Sequence, residues 1–122
     1  MSECVFCNIP KKTAEKMLYQ DDVCYVVDDI NPIERGHRLV ISKTHYESMP
    51  NAPDEVVSHM FVVAKRFAIK AKEEFGATGT NVGVNNGKDA NQIVMHMHIH
   101  VLPRYPGMAH RRSHTAFIGI PK

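Results

Sequence analysis

The chain has no long apolar run, almost no net charge and too few cysteines for a disulfide framework, and each shortage closes off a class of protein. No stretch of its 122 residues is long and apolar enough to span a bilayer. The opening MSECVFCNIPKK lacks the apolar segment of a secretory signal. A formal net charge of +2 is too small to mark a nucleic-acid surface or an anionic membrane as the main partner. The expectation is a cytoplasmic protein with no nucleic-acid and no membrane partner. Of its three cysteines, two form Cys4-x-x-Cys7 at the start, where a reducing compartment favours thiols or metal thiolates. The third, Cys24, sits in Val23-Cys24-Tyr25-Val26-Val27 and reads as a small buried hydrophobe. Repeats and low-complexity segments are also lacking, and the length suits one domain, residues 1–122.

What is present reads as α+β. Thr13 to Met17 suits a short helix. Leu18-Tyr19-Gln20 and Val23 to Val27 read as two strands joined by a tight Asp21-Asp22 turn. The loop Asp28-Asp29-Ile30-Asn31-Pro32 leads to a third strand at Gly36 to Ile41. Pro53-Asp54-Glu55 supplies helix-start chemistry. Apolar residues then recur at 56, 57, 60, 61, 64, 67, 68, 71 and 75, and Gly76 closes the one long helix. Strands follow at Asn81 to Asn85 and at Ile93 to Leu102, the latter stopped by Pro103. An antiparallel sheet packed by one main helix is the expected domain.

The informative stretch is VMHMHIHVLPR, residues 94–104. On a strand His96, His98 and His100 share one side while Met95, Met97, Ile99 and Val101 share the other. Neighbouring histidines stand about 6.5 Å apart and the outer pair about 13 Å, too far to grip one metal ion easily. A solvated polar face has no need of histidine at three positions in register. Two chemical readings remain: a metal site using a His-x-His pair, or an acid, base and nucleophile array for phosphoryl chemistry. Of the other histidines, His59 falls off the apolar stripe of the long helix and reads as solvated. His110 and His114, beside Arg111 and Arg112, belong to a charged C-terminal tail, residues 105–122.

His96-Met97-His98-Ile99-His100-Val101-Leu102 resembles the histidine triad signature of the HIT family of nucleotide hydrolases and transferases. Supporting segments stand in the same order: Asp29-Ile30-Asn31-Pro32, the run Gly36 to His45, and Asn85 and Gln92 before the triad. The Cys-x-x-Cys start and the Pro-Arg after the triad are similar to the small prokaryotic, zinc-containing, Hint-like members. The resemblance implies a five-stranded antiparallel sheet with one long and one short helix, extended across a homodimer. It implies a purine nucleotide derivative (AMP or GMP) as substrate. Activity is then that of a nucleoside phosphoramidase or nucleotidyl hydrolase or transferase acting at the α-phosphate. The catalytic set it carries over is His98 as nucleophile, His100 and His37 at the phosphate oxygens, and His96. Asp29 matches the ribose-binding acid, Asn85 and Gln92 flank the nucleotide, and Val5, Phe6, Ile9 and Ile30 match an apolar clamp around the base. One position departs from the pattern: Ile93 stands where the family commonly has Ser or Thr, which bears on rate and leaving group. Other classes of answer are a nucleotide-binding or signalling module with weak or no catalysis, and a metalloenzyme whose triad holds a catalytic ion.

Cys4-x-x-Cys7 alone suits a redox motif, half a zinc site or coincidence. The redox reading needs a preceding strand, and only three residues precede Cys4. The family resemblance completes a structural zinc site with His45 and His96, making residues 1–10 a zinc knuckle.

Overall fold

The computed structural model describes residues 4–107. Two helices, α1 (Val5–Lys12) and α2 (Asp54–Phe75), accompany five strands: β1 (Tyr19–Gln20), β2 (Cys24–Asp28), β3 (Arg38–Ser42), β4 (Gly79–Gly83) and β5 (His98–Arg104). The strands form one antiparallel sheet in the order β1-β2-β3-β5-β4. The expected hairpin is present, with Tyr19 opposite Val26 across the Asp21-Asp22 turn. The first three strands are a meander; β5 then inserts between β3 and β4.

Alternation along these strands divides the core in two. Cys24, Val26, Val40, Ile99 and Val101 face α2, where Met60, Val63, Ala64 and Phe67 cover them. Tyr25, Val27, Leu39 and Ile41 face the other way, against Phe6 of α1. The long helix begins and ends as its sequence predicts, with Asp54 and Glu55 in its first turn and Gly76 at φ 72° as its C-cap.

Several expected boundaries move. The short helix is α1, whereas Ala14–Lys16 of the expected Thr13–Met17 segment is only a 3₁₀ turn. Pro10 inside α1 removes the amide that would bond to the Phe6 carbonyl, and the Tyr25 hydroxyl donates to that carbonyl instead. The helix is thus completed by a distant side chain, which local pattern does not show. The last strand starts at His98, not Ile93. Before it the main chain bonds elsewhere, the His96 N–H to the Val94 carbonyl and the Met97 N–H to the Tyr46 carbonyl. Pro103 does not stop β5. Pairing with β3 has already ended at Arg38–Val101, so the proline lies where the strand is bonded on one side only. The third and fourth strands occupy Arg38–Ser42 and Gly79–Gly83, displaced from the expected 36–41 and 81–85.

His59 is not a free surface group. Its Nε2 lies 2.6 Å from Asp21 Oδ2, which also accepts the Tyr19 hydroxyl at 2.7 Å. Asp21 Oδ1 takes the Val23 and Cys24 amides, so one carboxylate pins α2 to the hairpin turn. Burial alone would raise that carboxyl, but the hydrogen bonds from His59, Tyr19 and the two amides outweigh it and hold it well below the usual range.

Gly36 is the glycine the fold needs most. Its φ is 86°, and an added Cβ would lie 2.7 Å from the Phe75 ring and 3.2 Å from Pro103. Gly36→Ala is expected to lose about 1–3 kcal/mol of stability. Urea denaturation checks this, and an unchanged midpoint would contradict the packing.

Candidate active site

The register of β3 on β5 sets the site. His98 lies opposite Ile41 and His100 opposite Leu39, so both rings fall on the sheet face away from α2. His37 shares the odd-numbered face of Leu39 and Ile41, and its Nε2 reaches to 3.0 Å from His100 Nδ1. None of these rings is a solvated surface group: His37 is 2% exposed, His98 7% and His100 9%. They line one wall of a cavity of about 850 Å³, with Asp29 and Asn85. Asp29 Oδ2 is 3.5 Å from His37 Nε2, and its Oδ1 accepts the Asn31 amide at 2.9 Å.

Val5, Phe6, Ile9 and Ile30 all line the cavity, and the Phe6 ring meets that of His98 edge-on at 5.0 Å. Ile30 and Ile93, 88% and 83% exposed, are apolar surface that water covers only at a cost. Sequence reasoning missed Leu18, Ile33, Asn91 and Val94 in the lining, because each comes from a loop or turn whose path the pattern does not reveal. Gln92 does not line the cavity. Its Oε1 accepts the Gly87 amide, and its Nε2 donates to the carbonyls of Glu47 and Val94, so it staples the loop before the triad.

Main-chain groups give the histidines different protonation. The His98 Nδ1 is 2.6 Å from the His96 carbonyl, which only accepts, so Nδ1 carries the hydrogen and Nε2 is the bare nitrogen. His96 is likewise fixed by the Ser42 carbonyl, 2.7 Å from its Nε2, leaving Nδ1 bare. Burial holds all of these rings neutral. It lowers His98 and His37, the latter partly restored by Asp29, and takes His100 to about 3 and His96 to about 4.

The bare His96 Nδ1 turns toward the N-terminus. It is 3.3 Å from Cys4 Sγ and 3.5 Å from Cys7 Sγ, and Cys7 Sγ is 3.1 Å from His45 Nδ1. These four donor atoms lie within 4.8 Å of one another. Tetrahedral zinc with two sulfurs and two nitrogens sets adjacent donors about 3.5 Å apart, so the residues fit the ion. The Ser42 carbonyl supplies the orienting partner that a metal-bound imidazole normally has. Two further groups, Asp21-Cys24-His59 and Asp29-His37-His100, are equally compact. The first is the pin described above; the second lies in the cavity wall. The sequence put the three histidines on one strand face and, through the family resemblance, assigned His96 to the cysteines; the structure sets His96 Nδ1 beside Cys4 and Cys7, off the strand, and His98 and His100 in the cavity wall. His110 and His114 lie outside the described residues.

Residues 11–107 match the HIT domain model. The chain belongs to the HIT family. Among its relatives, Adenylylsulfatase HINT3 of Arabidopsis thaliana is 36% identical over 104 residues, 84% of this chain but 53% of that longer protein. Protein hit of Bacillus subtilis is 36% identical over 103 residues, 84% of this chain and 71% of that one. A Zn-bound histidine triad family protein from Mycobacterium smegmatis superposes with a TM-score of 0.82 at 42% identity, covering 87% of this chain and 78% of that one. The HIT match begins after the cysteine pair, so it takes in His45 and His96 of the four-residue corner but not Cys4 or Cys7.

Buried neutral imidazoles make stability depend on pH. Unfolded His100 takes a proton below about 6.5, while the folded ring resists until about 3. Between those values the unfolded chain binds more protons, so stability falls as pH falls. From pH 6.5 to pH 5 the native protein should lose about 2 kcal/mol more than His100→Gln. Urea titrations of both proteins at several pH values measure the difference, and parallel curves would refute it.

Proposed function

We propose that the protein is a nucleotide hydrolase or phosphoramidase acting at the α-phosphate of purine nucleotide derivatives, with His98 as nucleophile. The observation that carries this is the tautomer of His98: its hydrogen is committed to the His96 carbonyl, and its bare Nε2 belongs to a ring lining an 850 Å³ cavity. In the first step the Nε2 lone pair forms a bond to phosphorus and the bond to the leaving group breaks. The leaving group takes that electron pair and a proton supplied by solvent. The ring then carries phosphorus on Nε2 and hydrogen on Nδ1, a cation that the His96 carbonyl stabilises. Water next adds to phosphorus as the P–N bond breaks and gives one proton back to solvent, releasing the nucleoside monophosphate and restoring neutral His98.

The remaining residues have matching tasks. Asp29, a carboxylate at the cavity wall, suits the paired hydroxyls of a ribose. Val5, Phe6, Ile9 and Ile30 supply an apolar slot for a base. His100 serves the phosphate oxygens as charge gathers there. HIT membership and the sulfatase activity named for the Arabidopsis relative support this class of reaction. Ile93 on the cavity lining, where a hydroxyl is common, favours a slower variant of it, and single-turnover mixing that shows bound nucleotide without a burst of product would identify a binding module instead.

The same reading includes zinc held by Cys4, Cys7, His45 and His96, as the Mycobacterium smegmatis structure supports. Such an ion is structural, fastening the N-terminus to the segment before β5. It also includes a homodimer; β4 is an edge strand available for a second copy to extend the sheet.

His98→Ala should lower release of nucleoside monophosphate from a purine nucleoside phosphoramidate by at least about a thousandfold while the fold, followed by circular dichroism, persists. Retained turnover would overturn the mechanism. Metal analysis should find about one zinc per chain, lost in Cys4→Ala together with a lower thermal midpoint. Under about a tenth of an equivalent, with every thiol titratable, would remove the zinc from the reading.

A further inference from the structure

A neutral imidazole carries one ring hydrogen, and the groups facing its two nitrogens decide which one holds it. Along the cavity wall those facings form a chain. The Ile33 main-chain N–H donates to His37 Nδ1 at 3.1 Å. An amide can only donate, so Nδ1 is bare and the His37 hydrogen sits on Nε2. That nitrogen has two acceptors within reach, His100 Nδ1 at 3.0 Å and Asp29 Oδ2 at 3.5 Å. The first is at ordinary hydrogen-bond length and the second at its outer limit, so the hydrogen goes chiefly to His100. His100 Nδ1 is then bare, and the His100 hydrogen is left on Nε2.

We propose that His37 is a positioning residue: locked by the Ile33 amide, it holds His100 in the Nε2–H tautomer, so that His100 meets the substrate as a hydrogen-bond donor and not as a base. In catalysis the proposal rests on the phosphoryl-transfer reading above and deepens it. It also moves His37 away from the direct phosphate contact that the family resemblance implied, since its one hydrogen is already engaged.

The neighbouring ring shows what this achieves. His98 carries its hydrogen on Nδ1 and keeps Nε2 bare. His100, two residues along the same face with its ring centroid 5.1 Å away, has the opposite arrangement. Chemically identical side chains thereby supply a nucleophile and a donor side by side. The difference comes from their partners: a carbonyl for His98, a second imidazole for His100. A histidine that merely stapled its own loop would need only the Nδ1 contact to Ile33. The buried contact of Nε2 with His100, across 63 positions of sequence, is unaccounted for by that role.

Long-range ¹H–¹⁵N spectra of the imidazoles in the full-length labelled protein test this near neutral pH, because bare and protonated ring nitrogens resonate far apart. His100 should be protonated on Nε2 and His98 on Nδ1. In His37→Phe, His100 should lose its single tautomer, and kcat for a purine nucleoside phosphoramidate should fall about tenfold or more with KM changed less than about twofold. His37→Gln, whose amide can donate to the same nitrogen, should restore the Nε2–H form and part of kcat. A native His100 protonated on Nδ1, or an unchanged tautomer in His37→Phe, overturns the proposal. The native spectrum decides even if the variants fail to fold. It is also independent of the His98→Ala assay: turnover retained there would sink the nucleophile while leaving the tautomer intact.

Discussion

The register between β3 and β5 is the constraint on which the site depends. With Ile41 opposite His98 and Leu39 opposite His100, Ile99 and Val101 are committed to the core under α2 and the histidines to the other face. Slipping β5 by one residue would expose those two side chains and drive imidazoles into the contact with Phe67 and Met60. The same parity carries His37 to the histidine face, one step before β3 begins. Apolar burial on one side of the sheet therefore determines chemistry on the other.

Placing several imidazoles out of water has a physical cost that the main chain offsets. A buried ring must be neutral and must have its N–H satisfied. The His96 N–H has the Ser42 carbonyl and the His98 N–H the His96 carbonyl, while the Ile33 amide donates to His37 Nδ1 and so leaves the His37 N–H on Nε2, facing His100. His100 is the exception, its Nδ1 facing another ring. Satisfying the hydrogen bonds and assigning the tautomers are the same event, so a requirement of stability also fixes which nitrogens can react.

The sequence revealed those parts of the fold whose cause is local and periodic. The 3.6-residue stripe and Gly76 located α2, and the Asp21-Asp22 turn located the first hairpin. Alternation in the last strand put His98 and His100 together and kept Ile99 and Val101 in the core. Features that depend on distant partners were not legible. Helix α1 is closed by Tyr25, nineteen positions away, and His59 finds Asp21 thirty-eight positions back. Gln92 is drawn to loop carbonyls and His96 leaves the strand pattern, neither of which a window of neighbouring residues contains. The cysteine corner became readable through the family resemblance, since four donors spread from position 4 to position 96 have no periodicity of their own.

That corner also bears on the proposed nucleophile, His98, through a single residue. The His96 ring faces Cys4 and Cys7 with Nδ1 and Ser42 with Nε2, while the carbonyl of the same residue holds His98 Nδ1. Whatever fixes the His96 ring therefore restrains the peptide that orients the His98 ring. Helix α1 adds a second restraint, because Phe6 lies edge-on to both rings, at 5.9 Å from His96 and 5.0 Å from His98. Phe6 sits between the two cysteines in sequence, so seating the thiols also seats the aromatic ring. A metal ion at this corner would thus act on the proposed phosphoryl chemistry without touching phosphorus, by narrowing the range of positions open to one carbonyl oxygen and one neighbouring ring. Residues 4–10, outside the matched HIT domain, are in this way mechanically tied to the cavity wall.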